Sequence, residues 1–102
     1  MNAPFDNSSE FSRVHIVVTG RVQGVGFRVY IHQTALALGL TGWVRNVGWD
    51  KVEITAEGKR PLLQSLVEAA QRGPRGSRVD DCHVEWQLFT GEFSSFEIRP
   101  SR

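Results

Sequence analysis

Apolar and polar residues follow two different periods along this chain, and the changes between them divide it into elements. Residues 14–19 are rich in β-branched side chains and end at Gly20, a pattern typical of a strand. Apolar residues then recur at helical spacing, at Phe27, Ile31, Ala35 and Leu38. The glycine and the apolar residue that follow, Gly39-Leu40, are typical of a helix end. The first third of the chain therefore predicts a strand and a helix of about three turns.

Two further strands and a second helix are predicted in the middle of the chain. Residues 41–46 and 52–57 form the strand pair, and the short polar, glycine-bearing segment between them predicts a hairpin. Pro61 is a favourable residue at the start of a helix, and Gly73-Pro74 ends that helix. The predicted apolar face of this helix comprises Leu62, Leu63, Leu66, Val67 and Ala70.

The last third returns to alternation and completes the order of elements. One face of the predicted strand carries Cys82, Val84, Trp86 and Leu88, and a short final strand covers residues 96–99. The order is strand, helix, strand, strand, helix, strand, with one extra terminal strand. Because two amphipathic helices cover only one face of a sheet, we expect an α+β, two-layer α/β sandwich of the ferredoxin-like type. Its sheet should be mostly antiparallel.

The domain organisation is predicted to be simple. Residues 1–12 are polar and unpatterned, so we interpret them as a flexible tail before a single domain at residues 13–102. The segment at the start also lacks the basic and apolar regions of a secretory signal. A single cysteine, Cys82, cannot form an internal disulfide and fits a reducing compartment, so cytoplasm is the expected location.

Composition narrows the classes of partner. The chain has 102 residues, 40% hydrophobic and 23% charged, with a formal net charge of +1. Such a balance provides no general field that would attract nucleic acid or an anionic membrane. No apolar run approaches the roughly 18 residues of a membrane helix. Any anion must therefore be recognised by a local site, and no nucleic-acid or membrane partner is expected.

No metal site is expected either. The three histidines share no ligand spacing, and the adjacent Asp80 and Asp81 should point to opposite faces of a strand. Cys82 is interpreted as a core residue because it alternates with Val84 and Trp86.

The segment at residues 20–28, GRVQGVGFR, has the composition of an anion-binding loop. Its three glycines allow a tight turn with backbone N–H groups directed inward, and they remove side chains that would exclude an anion. The loop leads into a helix N-terminus, which favours negative charge, and Arg28 adds a bidentate phosphate partner. An ordinary strand-to-helix turn remains an alternative from these residues alone. Neither a Walker loop nor a dinucleotide fingerprint is present.

The same string resembles the first signature of the acylphosphatase family almost residue for residue. Residues 42–46, GWVRN, are similar to the second signature of that family, at the expected distance. The resemblance continues through Gly73-Pro74 and Val79 to residues 96–99, and so covers residues 13 to 99.

This resemblance implies a metal-independent enzyme without a cofactor that hydrolyses acyl phosphates to a carboxylate and inorganic phosphate. It implies that Asn46 positions the attacking water and that Arg28 is the other catalytic residue. The implied phosphate-binding positions are Gln23, Gly24, Val25, Gly26, Phe27 and Arg28. The expected partner is a small-molecule acyl phosphate, with inorganic phosphate as product and inhibitor. Because the amide of Asn46 is too weak a base, we expect the phosphate of the substrate to receive the proton of the water.

The chain departs from the family pattern at two places. Trp49-Asp50 stands in the hairpin where many relatives have Asp-Gly, and an exposed Trp49 beside the site would alter access or substrate preference. Gly26 stands where some relatives have an aromatic residue. Arg21 and Arg45 flank the two signatures and either raise the local potential or simply face solvent.

Two alternatives to an enzyme are compatible with this architecture. A sandwich of this kind can stack single-stranded RNA on its open sheet face, but the chain lacks a basic stripe and the RNP-type pattern. A degenerate domain that binds phosphate-bearing ligands, or serves within a carbamoyl-phosphate pathway, is the other alternative. The presence of both Arg28 and Asn46 argues against it. Without an obvious apolar surface stripe, a monomer is expected.

Overall fold

The structure, a computed structural model, describes residues 10–102 and contains five strands and two helices in that range. In chain order they are β1 (Phe11–Arg21), α1 (Phe27–Ala37), β2 (Thr41–Val47), β3 (Lys51–Lys59), α2 (Arg60–Arg72), β4 (Arg78–Gln87) and β5 (Phe96–Ile98). The predicted order of elements is confirmed. Neither helix of the described range is long and apolar enough to cross a membrane.

The five strands form one sheet in the order β4-β1-β3-β2-β5. All neighbouring strands are antiparallel except β2 and β5, which are parallel. Both helices pack against the same face of this sheet, in agreement with the two-layer, ferredoxin-like sandwich expected from the sequence. The opposite face of the sheet is called the open face below.

The core lies between the sheet and the helices because alternate strand residues point to the same side. The central strand β1 contributes Val14, Ile16 and Val18, all completely buried. The predicted helical spacing of α1 is confirmed, since its buried residues are Phe27, Ile31 and Ala35. Helix α2 buries Leu63, Leu66, Val67, Ala69 and Ala70, whereas Leu62 is only partly buried.

Several element boundaries differ from the sequence prediction by a few residues, and two of these differences change the interpretation of particular residues. Strand β1 begins at Phe11 because Phe11 pairs with Lys59, so residues 11 and 12 of the predicted tail belong to the sheet. The rest of that tail, residues 1–9, lies outside the described residues. Strand β4 ends at Gln87, opposite Arg13. Leu88 therefore lies beyond the last paired residue and is 89% exposed, so its predicted place on a buried face is wrong.

A β-bulge brings β1 and β4 unusually close at the end of the sheet where β1 enters the loop. The register shifts between Thr19 and Gly20, so that Asp80 has no direct partner on β1. A Cβ on Gly20 would lie 2.2 Å from the carbonyl oxygen of Arg78. Glycine is therefore required there, because the two backbones touch.

The connection between β4 and β5 is fixed to the open face by a buried carboxylate. Glu57 of β3 is 1% exposed and accepts hydrogen bonds from the backbone N–H groups of Thr90 and Gly91, at 2.8 and 2.9 Å. The hydroxyl of Thr90 and the guanidinium of Arg13 also donate to it, at 2.8 and 3.4 Å. This segment thereby covers one end of the open face.

Candidate active site

The loop between β1 and α1 has the backbone conformation that its glycines predict. Gly24 and Gly26 have φ angles of 75° and 77°, in the left-handed region that favours glycine. Added Cβ atoms at these two positions would find no atom within 4 Å. The left-handed backbone conformation, rather than tight packing, therefore favours glycine at both positions.

The N-terminus of α1 is free to meet an anion. Gly26 is its N-cap residue, no side chain caps the helix, and no acidic residue stands in its first turn. The first N–H groups of a helix lack partners within the helix and carry the positive end of its dipole. This helix start consequently favours a negatively charged group.

Arg28 and Asn46 lie on the same small cavity, although 18 positions separate them in the chain. The cavity has a volume of about 220 Å³. Its walls are Val22, Gly24, Gly26, Phe27, Arg28, Val29, Asn46 and Ile98. We refer to this cavity as the cradle.

Among residues 10–102, Arg28 is the only ionisable residue that lines the cradle. Its guanidinium has no ion pair or hydrogen bond with another residue of the described range 10–102. Guanidinium presents a fork of donors that matches the oxygens of a phosphate. The cradle thus combines an unpaired cation with a helix N-terminus.

The backbone of Asn46 is held in the sheet, whereas its side chain makes no hydrogen bond with residues 10–102. It lies in β2 opposite Val52 and is 8% exposed, and its carbonyl oxygen accepts a hydrogen bond from the N–H of Arg102 at 2.9 Å. Its side-chain Oδ1 is buried without a hydrogen-bond partner in residues 10–102. Buried acceptors without partners are rare and often mark a site for water or ligand.

The side chain of Gln23 joins the loop to the hairpin between β2 and β3. Its Nε2 donates to the carbonyl oxygens of Val47, Gly48 and Lys51, at 3.3, 3.1 and 3.0 Å. The N–H of Gly20 donates to the carbonyl oxygen of Asp50 at 2.9 Å. The loop and the hairpin that follows Asn46 are therefore fixed to each other.

Five of the predicted site residues come together in the cradle: Gly24, Gly26, Phe27, Arg28 and Asn46. Gln23 lines a neighbouring cleft instead, and Val25 packs partly buried against the core. The sequence did not indicate the walls formed by Val22, Val29 and Ile98. Ile98 reaches the cradle through the parallel pairing of β5 with β2, which no local pattern reveals.

The two arginines that flank the signatures have different surroundings. Arg45 lies on the open face, where its Nε donates to Glu53 at 2.8 Å and its guanidinium stacks over Trp43. Arg21 is exposed at the end of β1 and has no side-chain partner among the described residues. Of these two arginines, Arg21 is the one without a partner among the described residues, and it lies beside the loop.

Within residues 10–102, no cluster of three or more His, Cys, Asp or Glu side chains is arranged to hold a metal ion. Asp80 instead accepts hydrogen bonds from Arg78, which hold the pKa of the carboxyl below its ordinary value. Cys82 is partly buried, and burial together with the nearby charge of Asp81 raises the pKa of its thiol.

Comparison with known proteins gives one consistent result. The family model described as Acylphosphatase matches residues 14–98. The chain is similar to the acylphosphatase of Pelotomaculum thermopropionicum, with 48% identity over 85% of this chain and 95% of that one. It is similar to the acylphosphatase of Anaeromyxobacter, with 44% identity over 89% and 98%. The crystal structure of acylphosphatase from Bacillus subtilis superimposes with a TM-score of 0.82, at 41% identity over 86% of this chain and 98% of that one.

Proposed function

Because the chain belongs to the acylphosphatase family and so hydrolyses acyl phosphates, we propose that Arg28 and the loop amides hold the phosphoryl group while Asn46 orients the water. The observation that carries this proposal is that Arg28 and Asn46 line one cavity of about 220 Å³. Two residues from different elements can then bind the phosphoryl group and orient the water that attacks it.

The phosphoryl oxygens bind to the N–H groups of residues 23–28 and to the guanidinium of Arg28. The left-handed Gly24 and Gly26 and the uncapped start of α1 support this role. Donors already in place for a charge that develops during the reaction cost no reorganisation, and one such donor is commonly worth about 10²–10³ in rate.

Asn46 accepts a hydrogen bond from the attacking water through Oδ1. The oxygen of the water forms a bond to phosphorus while the bond between phosphorus and the acyl oxygen breaks, and the carboxylate leaves with the electron pair. The proton of the water passes to an oxygen of the phosphoryl group, because no other base lines the cradle. A carboxylate is a good leaving group, so positioning and charge neutralisation are the main tasks of the enzyme.

We also propose that the chain works as a cytoplasmic monomer on a small-molecule substrate, and that inorganic phosphate competes for the cradle. The single cysteine and the near-neutral net charge support the location and the absence of a nucleic-acid partner. Phosphate presents the same oxygens as the phosphoryl group, which supports inhibition by the product.

The test is hydrolysis of benzoyl phosphate in the presence of a chelator, followed by the loss of its ultraviolet absorbance. We expect turnover by the wild type, and a loss in kcat of about 10²-fold or more in Arg28→Ala and in Asn46→Ala. Inorganic phosphate should inhibit the wild type competitively. Leu88→Ala, a change at an exposed residue far from the cradle, serves as the matched control and should retain full activity.

Full activity of a folded Arg28→Ala variant would contradict the assigned roles. An inactive but folded wild type would favour the degenerate phosphate-binding domain. Circular dichroism of each variant separates loss of the fold from loss of the site.

A further inference from the structure

A second cavity, which we call the hairpin cleft, lies beside the cradle and is not used by the proposed mechanism. It has a volume of about 430 Å³ and lies between the loop, the hairpin and β4. Its walls include Arg21, Gln23, Trp49, Asp50, Arg78 and Asp80. The hairpin cleft and the cradle share Val22 as a common wall, whereas Arg28 and Asn46 belong to the cradle alone.

Hydrogen bonds and a bulge hold the backbone of the hairpin cleft in place before any ligand binds. The three hydrogen bonds from Gln23 to hairpin carbonyls and the bond from Gly20 to Asp50 join its loop side to its hairpin side. The bulge at Gly20 presses its third side, β4, against β1. A group that binds there meets a backbone framework that is already held in place, which favours binding.

The charges of the hairpin cleft leave one cation unpaired. Arg78 donates to Asp80 at 2.9 and 3.3 Å, and Lys51 donates to Asp50 at 3.1 Å. Arg21 has no such partner among the described residues. Among the lining residues Arg78 and Asp80 neutralise each other, and Asp50 is paired with Lys51, which lies outside the lining. Arg21 is therefore the lining charge that remains unpaired among the described residues.

Trp49 provides the large aromatic surface of the hairpin cleft. Its side chain is 83% exposed at the tip of the hairpin. An indole in water gains by stacking against a flat or apolar group. No core contact explains this residue, since it is absent from the hydrophobic cluster and from the residues packed against it.

We propose that the hairpin cleft receives the acyl group of the substrate. The indole of Trp49 stacks against a flat acyl group, and Arg21 pairs with an anionic substituent at its far end. The inference rests on the proposed function, in which Asn46 holds the attacking water. In an in-line displacement the leaving carboxylate departs on the side opposite that water. With the water at Asn46, the acyl group extends away from Asn46, and the hairpin cleft adjoins the cradle without containing that residue. Trp49 and Arg21 are thus specificity-determining residues.

The test compares kcat/KM for three substrates: acetyl phosphate, benzoyl phosphate and 4-carboxybenzoyl phosphate. Acetyl phosphate has neither a ring nor a distal charge, so it reports the cradle alone. We expect Trp49→Ala to lower kcat/KM about three- to ten-fold for the two aromatic substrates and less than about two-fold for acetyl phosphate. Arg21→Gln should lower it about three- to five-fold for 4-carboxybenzoyl phosphate, with little change for benzoyl phosphate.

The control variant Leu88→Ala should leave the ratios among the three substrates unchanged. Equal effects of Trp49→Ala on acetyl and benzoyl phosphate, or no effect on either, would overturn the proposal for the hairpin cleft while leaving the proposed function intact. If the folded wild type hydrolyses none of the three substrates, the proposed function is overturned instead. The two failures are therefore distinguishable.

Discussion

Glu57 shows how one residue can be misjudged from local alternation. Alternation along β3 places it on the side opposite Val52, Ile54 and Ala56, yet its side chain is buried like theirs. The reason is the connection after β4, whose Thr90 and Gly91 cover the end of the open face and donate to the carboxylate. No pattern within β3 reveals a cover that comes from 33 positions further along the chain.

This carboxylate gives a prediction at the residue scale. Glu57→Gln should lower the free energy of unfolding by about 1–3 kcal/mol, because the new NH₂ group faces donors and one acceptor is lost. Urea denaturation at neutral pH measures the change. Glu85→Gln, at an exposed position of β4, is the control and should have an effect below about 0.5 kcal/mol. An unchanged urea midpoint in Glu57→Gln would show that the charge of the Glu57 carboxylate adds no stability through its hydrogen bonds to Thr90 and Gly91.

Asn46 and Arg28 represent the opposite case at the same scale. Both were identified from the two signatures, and both lie on the cradle. The signatures are local strings, so they indicate these two residues as candidates without any knowledge of packing, and the roles of both residues stay predictions. That the two strings lie close together in space could not be predicted from them, because the sheet brings the end of β2 beside the start of α1.

Periodicity was sufficient to predict every element of the described range, because each element has one buried face. The helical spacing of Phe27, Ile31 and Ala35 and the alternate burial of Val14, Ile16 and Val18 in β1 are examples. Boundaries that depend on a partner strand were less predictable. The start of β1 at Phe11 and the exposure of Leu88 are both consequences of where the neighbouring strand ends.

The contact between the loop and the hairpin gives a prediction at the scale of elements. Gln23→Ala should remove three hydrogen bonds to hairpin carbonyls and loosen the loop relative to Asn46. We expect kcat for benzoyl phosphate to fall about ten- to a hundred-fold, since small misplacements of a site are costly. Hydrogen exchange of the hairpin amides should become faster in the same variant.

The matched control for that experiment is Gln33→Ala, because Gln33 is an exposed residue of α1 outside the cradle. It should retain both the rate and the exchange protection of the wild type. A Gln23→Ala variant with normal kcat and faster exchange would separate the rigidity of the hairpin from catalysis, and would contradict the positioning role.

At the scale of the whole molecule, three carboxylates make the free energy of unfolding depend on pH in the acid range. Burial alone would raise the pKa of Glu53, but hydrogen bonds from His15 and Arg45 and the charge of Arg45 lower it overall. Hydrogen bonds from Arg78 lower the pKa of Asp80, and those from Arg13 and Thr90 lower that of Glu92. A carboxyl whose pKa is lower when folded stabilises the fold above its unfolded pKa and loses that contribution as pH falls.

Stability should therefore be nearly constant from neutral pH to about pH 5 and should decrease below about pH 4. Glu53→Gln should lower the free energy of unfolding by about 1 kcal/mol at pH 7 and should make the acid decrease shallower. Thermal unfolding at intervals between pH 3 and 7 tests both effects. An identical pH profile in wild type and variant would exclude Glu53 as a contributor.

The ties between loop and hairpin have a consequence for redesign. The hydrogen bonds from Gln23 and Gly20 to the hairpin are accepted by backbone carbonyl oxygens, a group that every amino acid possesses. The side chain at position 49 takes no part in them. Position 49 can thus be varied in a library and screened for new substrates while the hydrogen bonds between loop and hairpin are retained. The tip of the hairpin is therefore a suitable place for changing substrate preference.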